Sequence, residues 1–176
     1  MGDKAQVTLR RALPADADLL DAWARPEFTG AFNRFGMPYR PYRQLIEENA
    51  LVGEHGGTLI VLADGEPAGT VSWRSVRYGP TQESVAWNIG INLIPDARGR
   101  GFGPDAQRAL AEYLLANTAV NRIEAMTDVD NTPEQRALEK AGFAREGVLL
   151  GAQFRDGAWH DLIVYSRVRR SDDARP

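Results

Sequence analysis

Six consecutive residues, Arg98-Gly99-Arg100-Gly101-Phe102-Gly103, combine alternating glycines with fixed positive charge. Chemically they suit one task, the holding of a phosphate or pyrophosphate. Glycine lets a ligand oxygen approach the main chain where a side chain would otherwise intervene. A run of N–H groups opening a helix adds partial positive charge at the same point. Arg98 and Arg100 place guanidinium groups beside it. The alternative reading of these residues is a purely structural strand-to-helix turn.

The flanks decide which kind of loop this is. Before it, the apolar run Ile89–Ile94 reads as a strand, ended by Pro95-Asp96. After it, Pro104 is suited to a first helical position, and Ala106, Leu110, Tyr113 and Leu114 recur at helical spacing. A Walker loop needs Gly-Lys-Ser/Thr at its end, and none stands here. A dinucleotide fingerprint needs glycine where Pro104 lies, and ordinarily opens its domain.

Composition removes other chemistries. The 176 residues include no cysteine, which excludes disulfides, thiolate metal sites and acyl transfer through a Cys nucleophile. Two histidines, His55 and His160, are too few for a metal centre, so no metal is expected. A net charge of −3 argues against a nucleic-acid partner. No apolar run approaches the ~20 residues of a membrane span. The N-terminal MGDKAQVTLRR has no apolar signal core, so the expected location is cytoplasmic.

The chain must then position the loop. Val7–Arg11 reads as a strand and Pro14–Ala24 as a helix with Leu19, Leu20 and Trp23 on one face. Phe28, Phe32, Phe35, Tyr39 and Tyr42, broken up by Pro26, Gly30, Gly36, Pro38 and Pro41, fit no period. Such a segment either walls a substrate pocket or caps the core beneath a loop. A second helix is expected from Tyr42 to about Val52, then a hairpin through Asp64-Gly65 and a strand over Glu83–Leu93. Beyond the glycine loop and its helix come a strand over Arg122–Val129, a short helix over Glu134–Ala141 closed by Gly142, and a hairpin through Asp156-Gly157. This succession predicts a mixed α/β (α+β) fold with a central sheet of about seven strands and helices on both faces. One domain over residues 1–170 and a disordered tail over 171–176 are expected.

Several blocks carry a resemblance. Arg98-x-x-Gly101-x-Gly103 after a strand resembles the acyl-coenzyme A loop of the GNAT N-acetyltransferase family, Arg/Gln-x-x-Gly-x-Gly/Ala. Asn131-Thr-Pro-Glu-Gln-Arg-Ala-Leu-Glu139-Lys140-Ala-Gly142-Phe143 is similar to the Asn-x-x-Ser-x-x-x-x-Glu-Lys-x-Gly-Phe element of its RimJ/RimL-like branch, which acetylates ribosomal proteins. Glu146-Gly-Val-Leu149 and Gly157-Ala-Trp-His-Asp161 resemble the same branch. The order of elements matches the GNAT fold from end to end, with the sheet splayed in its middle.

The resemblance implies acetyl-coenzyme A as cosubstrate. It implies that amides of Arg98, Gly99, Arg100, Gly101, Phe102 and Gly103 hold the diphosphate. The pantetheine arm is then expected to pair with main-chain groups of Ile91 and Leu93 between two splayed strands, with the Asn131 side chain opposite. Asn131 read alone is a turn asparagine. The implied reaction is direct attack of an amine on the thioester with both substrates bound, the N–H of Leu93 or Ile94 meeting the oxyanion.

In two places the chain departs from the family pattern. Leu138 stands where many members have a tyrosine acid, and Asn88 where many have a carboxylate. The base is therefore assigned to Glu83 through water or to Asn88 positioning a water, and the acid is unassigned. His160 is a further candidate because imidazole as a side-chain type suits proton transfer, though alternation leaves its direction open, and Asp161 reads as a structural hydrogen-bonder. The acceptor amine is expected to be a protein N-terminus, an amino sugar or other antibiotic, a polyamine or an amino acid, with Glu27 or Glu83 pairing a cationic one. Trp73, Trp87 and the Phe28–Tyr42 aromatics are the residues expected around its cleft. A non-catalytic coenzyme A-binding module and a nucleotide-binding domain are the competing readings. Monomer and homodimer both remain open.

Overall fold

The computed structural model describes residues 6–25, 27–35 and 40–169. Pro26, Gly36, Pro38, Tyr39 and the 171–176 tail lie outside the described residues. The chain runs β1 (Val7–Arg10), α1 (Ala17–Trp23), α2 (Tyr42–Glu47), β2 (Val52–Gly53), β3 (Gly56–Ala63), β4 (Glu66–Arg77), β5 (Val85–Leu93), α3 (Phe102–Asn117), β6 (Arg122–Asp128), α4 (Thr132–Lys140), β7 (Ala144–Arg155) and β8 (Ala158–Val168). These strands form one eight-stranded sheet in the order β1-β3-β4-β5-β6-β8-β7, with the two-residue β2 paired to β3.

Every adjacent pair is antiparallel except β5 and β6. A parallel pair needs a crossover, and α3 supplies it. The hairpins at Asp64-Gly65 and Asp156-Gly157 carry positive φ at both positions, the geometry that matches strand twist.

The two faces of the sheet differ. Leu59, Val61, Val71, Trp73, Trp87, Ile89, Ile123, Ala125, Ile163 and Tyr165 pack on one side with Ala106, Leu110 and Leu114 of α3 and Leu138 of α4. On the other side Ile60 and Leu62 meet Leu20 and Trp23 of α1 and Tyr42 and Ile46 of α2. Beyond that cover, the reverse of β5, β6 and β8 mixes Asn88, Arg122, Glu124, Asp128 and Ser166 with Ala86, Met126, Leu162 and Val164.

The expected elements form, with shifted ends. Glu83 lies in a 3-10 turn (Gln82–Ser84) ahead of β5 rather than in the strand. Helix α2 stops at Glu47, and Asn49 takes a positive φ of 52° before the chain turns into β2. Helix α3 begins at Phe102, so Pro104 sits inside the first turn, where a missing N–H still breaks no bond.

Candidate active site

At the end of β5 a single 3-10 turn (Pro95–Ala97) leads into the glycine loop. Gly99 and Gly101 have φ of 71° and 88°, and no atom lies within 4 Å of the Cβ either would carry. Backbone conformation, not space, requires glycine at both. The N–H of Arg98 is bonded to the Pro95 carbonyl at 3.1 Å. The N–H groups of Gly99, Arg100 and Gly101 have no hydrogen-bond partner among the described residues. Gly101 caps α3, so the amides of Phe102 and Gly103 belong to the unpaired first turn. These donors suit a diphosphate.

The side chains of the loop do different work. The ring of Phe102 is buried at 3 % exposure, which leaves only its amide for a ligand. Arg100 stands over that ring at 4.9 Å and keeps its charge at the loop. Arg98 is first a strut: Nε donates to the Leu93 carbonyl at 2.9 Å and Nη2 to the Phe28 carbonyl, tying the aromatic segment to β5.

The ladder between β5 and β6 has three rungs, Trp87–Ile123, Asn88–Glu124 and Ile89–Ala125. Beyond the last, β5 continues to Leu93 and β6 to Asp128 unpaired with each other. The antiparallel β4–β5 register is closed by Ile94 N–H donating to the Ala68 carbonyl at 3.0 Å. Alternation along β5 then turns the peptide groups of Ile91 and Leu93 into the gap. The Ile91 carbonyl there meets Nδ2 of Asn33 at 3.5 Å. Ile94 is corrected as an oxyanion donor, because its N–H is spent on β4, whereas the Leu93 N–H is turned into the gap. Gap and loop share one cleft of about 740 Å³, walled by Ile91, Leu93, Thr127, Asn131, Glu134 and Phe32.

Asn131 caps α4, accepting from the Glu134 N–H at 3.4 Å while Nδ2 donates to Thr127 Oγ1 at 2.9 Å. It is thus both a turn residue and part of the cleft wall. Beside it lies an arrangement that the sequence did not disclose. Asp128, 3 % exposed, is paired with Arg155 at 2.5 Å and lies 3.2 Å from His160 Nδ1. Although burial acts to raise it, hydrogen bonds from the Asp130 N–H and Arg155 hold the Asp128 carboxyl below its ordinary pKa. Arg155 also stacks on Phe32 at 5.4 Å, which fixes the aromatic segment over the cleft. His160 is therefore part of this support, and Asp161 accepts from the Gly151 N–H at 2.6 Å where β7 bulges.

On the opposite face, Asn88 donates to Glu124 at 3.3 Å, one rung before the gap. Glu124 is fully buried and also accepts from Tyr78 at 2.5 Å and Arg122 at 3.0 Å. Arg122 forks onto Glu146 at 2.7 and 2.6 Å. That fork, with a further bond from Ser166, holds Glu146 down at about 2. Glu83, Arg122, Glu146 and Leu149 border a separate hollow of about 650 Å³, and only Met126 lines both it and the cleft. Glu83 and the glycine loop thus stand at opposite ends of β5, a strand about 26 Å long at 3.3 Å per residue.

The expected tryptophans are not at the cleft. Trp73 and Trp87 are both 7 % exposed in the core, Trp87 bonded to Thr118 and Trp73 edge-on to Tyr113. Of the aromatic segment, Phe32 and Phe35 line the cleft, whereas Phe28 and Tyr42 pack under α1. Glu124 was missed because a carboxylate inside an alternating strand reads as solvent-facing. Asp128 and Arg155 are 27 residues apart, so no local spacing signals their pairing.

A family model described as "Acetyltransferase (GNAT) domain" matches residues 6–144. The chain is 30 % identical over 173 residues to an uncharacterized N-acetyltransferase p20 of Bacillus licheniformis, covering 94 % of each. It is 24 % identical to the ribosomal-protein-serine acetyltransferase of Escherichia coli, over 72 % of this chain and 69 % of that one. Among solved structures, a RimL ribosomal L7/L12 alpha-N-protein acetyltransferase in complex with coenzyme A superposes with a TM-score of 0.75 at 20 % identity, over 94 % and 96 % of the chains. A Vibrio cholerae spermidine N-acetyltransferase in complex with coenzyme A and spermine gives 0.76 at 19 % identity, over 93 % and 95 %. The cleft, the match along most of the chain and these likenesses agree: the chain belongs to the GNAT family of N-acetyltransferases.

Proposed function

We propose that this enzyme moves an acetyl group from acetyl-coenzyme A to a primary amine in a single complex of both substrates. The observation that carries the reading is the gap beyond Ile89–Ala125, beneath a loop whose amides at Gly99, Arg100 and Gly101 are unpaired. Coenzyme A supplies the thioester. The loop from Arg98 to Gly103 binds its diphosphate, with Arg100 adding charge. Main-chain groups of Ile91 and Leu93 take the amides of the arm as a sheet edge takes a strand, and Asn131 contacts it from the α4 side. The Leu93 N–H is the oxyanion donor.

The acceptor enters from the face opposite α3 and α4, where the hollow bordered by Glu83 and Glu146 meets the cleft at Met126. Its carboxylates favour a cationic amine, either a small polyamine-like molecule or a peptide N-terminus. The names of the relatives and neighbours, which span ribosomal proteins and spermidine, support this acceptor class. Asn88 and the buried Glu124 position the water that takes the ammonium proton, and Glu83 leads it toward solvent.

Turnover is tested by thiol release from acetyl-coenzyme A across a panel of peptides, polyamines and amino acids. Release that depends on one amine class supports the reading. Coenzyme A binding with no acceptor-dependent release from any of them defeats it.

A further inference from the structure

In the proposed reaction the departing sulfur takes up a proton, and among the described residues five side chains of the cleft wall are titratable: Arg98, Asp128, Glu134, Arg136 and Lys140. A guanidinium does not serve as a proton donor in proteins, which sets aside Arg98 and Arg136. Asp128 is an anion held by Arg155. Lys140 is exposed at the far end of α4. Glu134 remains.

Its surroundings are unlike those of a surface carboxylate. Glu134 sits in the first turn of α4, one helical turn ahead of the wholly buried Leu138, and forms part of the cleft wall. The α3 side chain that acts on it is Gln107, 1 % exposed, whose buried Nε2 makes no hydrogen bond of ordinary length among the described residues. The remaining charges of that corner are committed: Asp105 is paired with Arg108 at 2.6 Å, and Arg108 reaches the Lys140 carbonyl. In the element that resembles Asn-x-x-Ser, this chain has Glu134 in the serine position.

We propose that the Glu134 carboxyl is the proton donor to the sulfur of departing coenzyme A. The inference rests on the acetyl-coenzyme A reading above. The acceptor nitrogen's lone pair forms the N–C bond, and the C–S bond breaks with its electron pair on sulfur. The Glu134 O–H proton then passes to that sulfur and gives the thiol. The carboxylate left behind is an acceptor only, and the orphan Nε2–H of Gln107 is placed to bond it. The acylated nitrogen gives up its second proton to solvent through the water at Asn88, as the ammonium gave up its first, and solvent returns one proton to Glu134. Burial supports the assignment by pushing this carboxyl up to about 7, against a smaller opposing pull from Gln107.

The test starts with the free protein, labelled with carboxyl-13C glutamate and titrated by NMR. One glutamate signal should titrate between about pH 6 and 8, and it should vanish in Glu134→Gln. With coenzyme A, Glu134→Gln should bind within threefold of the parent by calorimetry. Its kcat should fall about 100-fold or more, and the parent's loss of kcat above about pH 7 should disappear from its profile. Glu134→Asp should recover part of the rate. No glutamate titrating in that window, or a Glu134→Gln kcat within threefold of the parent, overturns the proposal while leaving the coenzyme reading intact. Failure of the parent to bind coenzyme A sinks both.

Discussion

Ile89 and Ala125 form the last rung that β5 and β6 share, and the proposed coenzyme site is arranged around the end of that ladder. Above it lie the glycine loop and the edge of Ile91 and Leu93 that β6 does not pair. One rung below, on the reverse face, Asn88 meets the buried carboxylate of Glu124. The sheet is thus a scaffold for two clefts that share the side chain of Met126 among the described residues.

Gly101→Ala puts a Cβ on a residue with φ of 88°, at the cap from which the α3 amides point outward. The left-handed conformation costs roughly 1–2 kcal/mol for an L side chain. Coenzyme A affinity should drop at least tenfold by calorimetry while the fold survives. Unchanged affinity would separate the loop from the ligand.

Arg155→Met removes the partner of Asp128 inside the cleft wall. Leaving one buried charge unpaired costs about 3–5 kcal/mol, so a large drop in denaturation midpoint is expected. The sign with pH follows from the lowered pKa of Asp128: its contribution is present above the ordinary carboxylate range and is lost as pH falls through the depressed value. The parent should therefore lose stability on acidification, and the difference between parent and Arg155→Met should narrow. A difference constant from pH 7 to pH 3 contradicts this.

Glu134 carries the opposite sign. A carboxyl raised to about 7 stabilises the fold relative to its ionised form below 4.5, and that contribution is lost as pH rises through 7. Glu134→Gln should match the parent near pH 4.5 and exceed it at pH 8, by on the order of 1–3 kcal/mol. Equal urea midpoints at pH 8 would show the carboxyl to be ordinarily solvated.

Asn88→Ala leaves the cleft of the coenzyme untouched but strips one donor from Glu124. The expected result is coenzyme A affinity within about twofold of the parent and kcat lowered about tenfold or more. An effect on coenzyme affinity alone would move Asn88 out of the acceptor's path.

Much of this was legible in the sequence because its signals are local. The strand, glycine loop and helix start from Ile89 onward occupy consecutive residues, and the Asp-Gly hairpins name their own turns. The additional strand β2, Val52–Gly53, was illegible: two residues paired to β3 carry no periodicity. Trp73 and Trp87 read as cleft residues only because aromatics suit both core and pocket; the register of β4 against β5 decides, and it turns both toward α3. The Glu124 and Asp128 clusters depend on pairings between distant strands, which no spacing encodes. Ile94 illustrates the finest scale, since a single main-chain bond to Ala68 removes it from the oxyanion site.

The most direct measurement is an NMR titration of glycine-15N-labelled protein with coenzyme A. The amide signals of Gly99, Gly101 and Gly103 should shift together and saturate, with Gly65 and Gly157 at the distant hairpins unmoved. Saturable binding that leaves those three amides where they were, or no binding at millimolar coenzyme A, would contradict the account at its root.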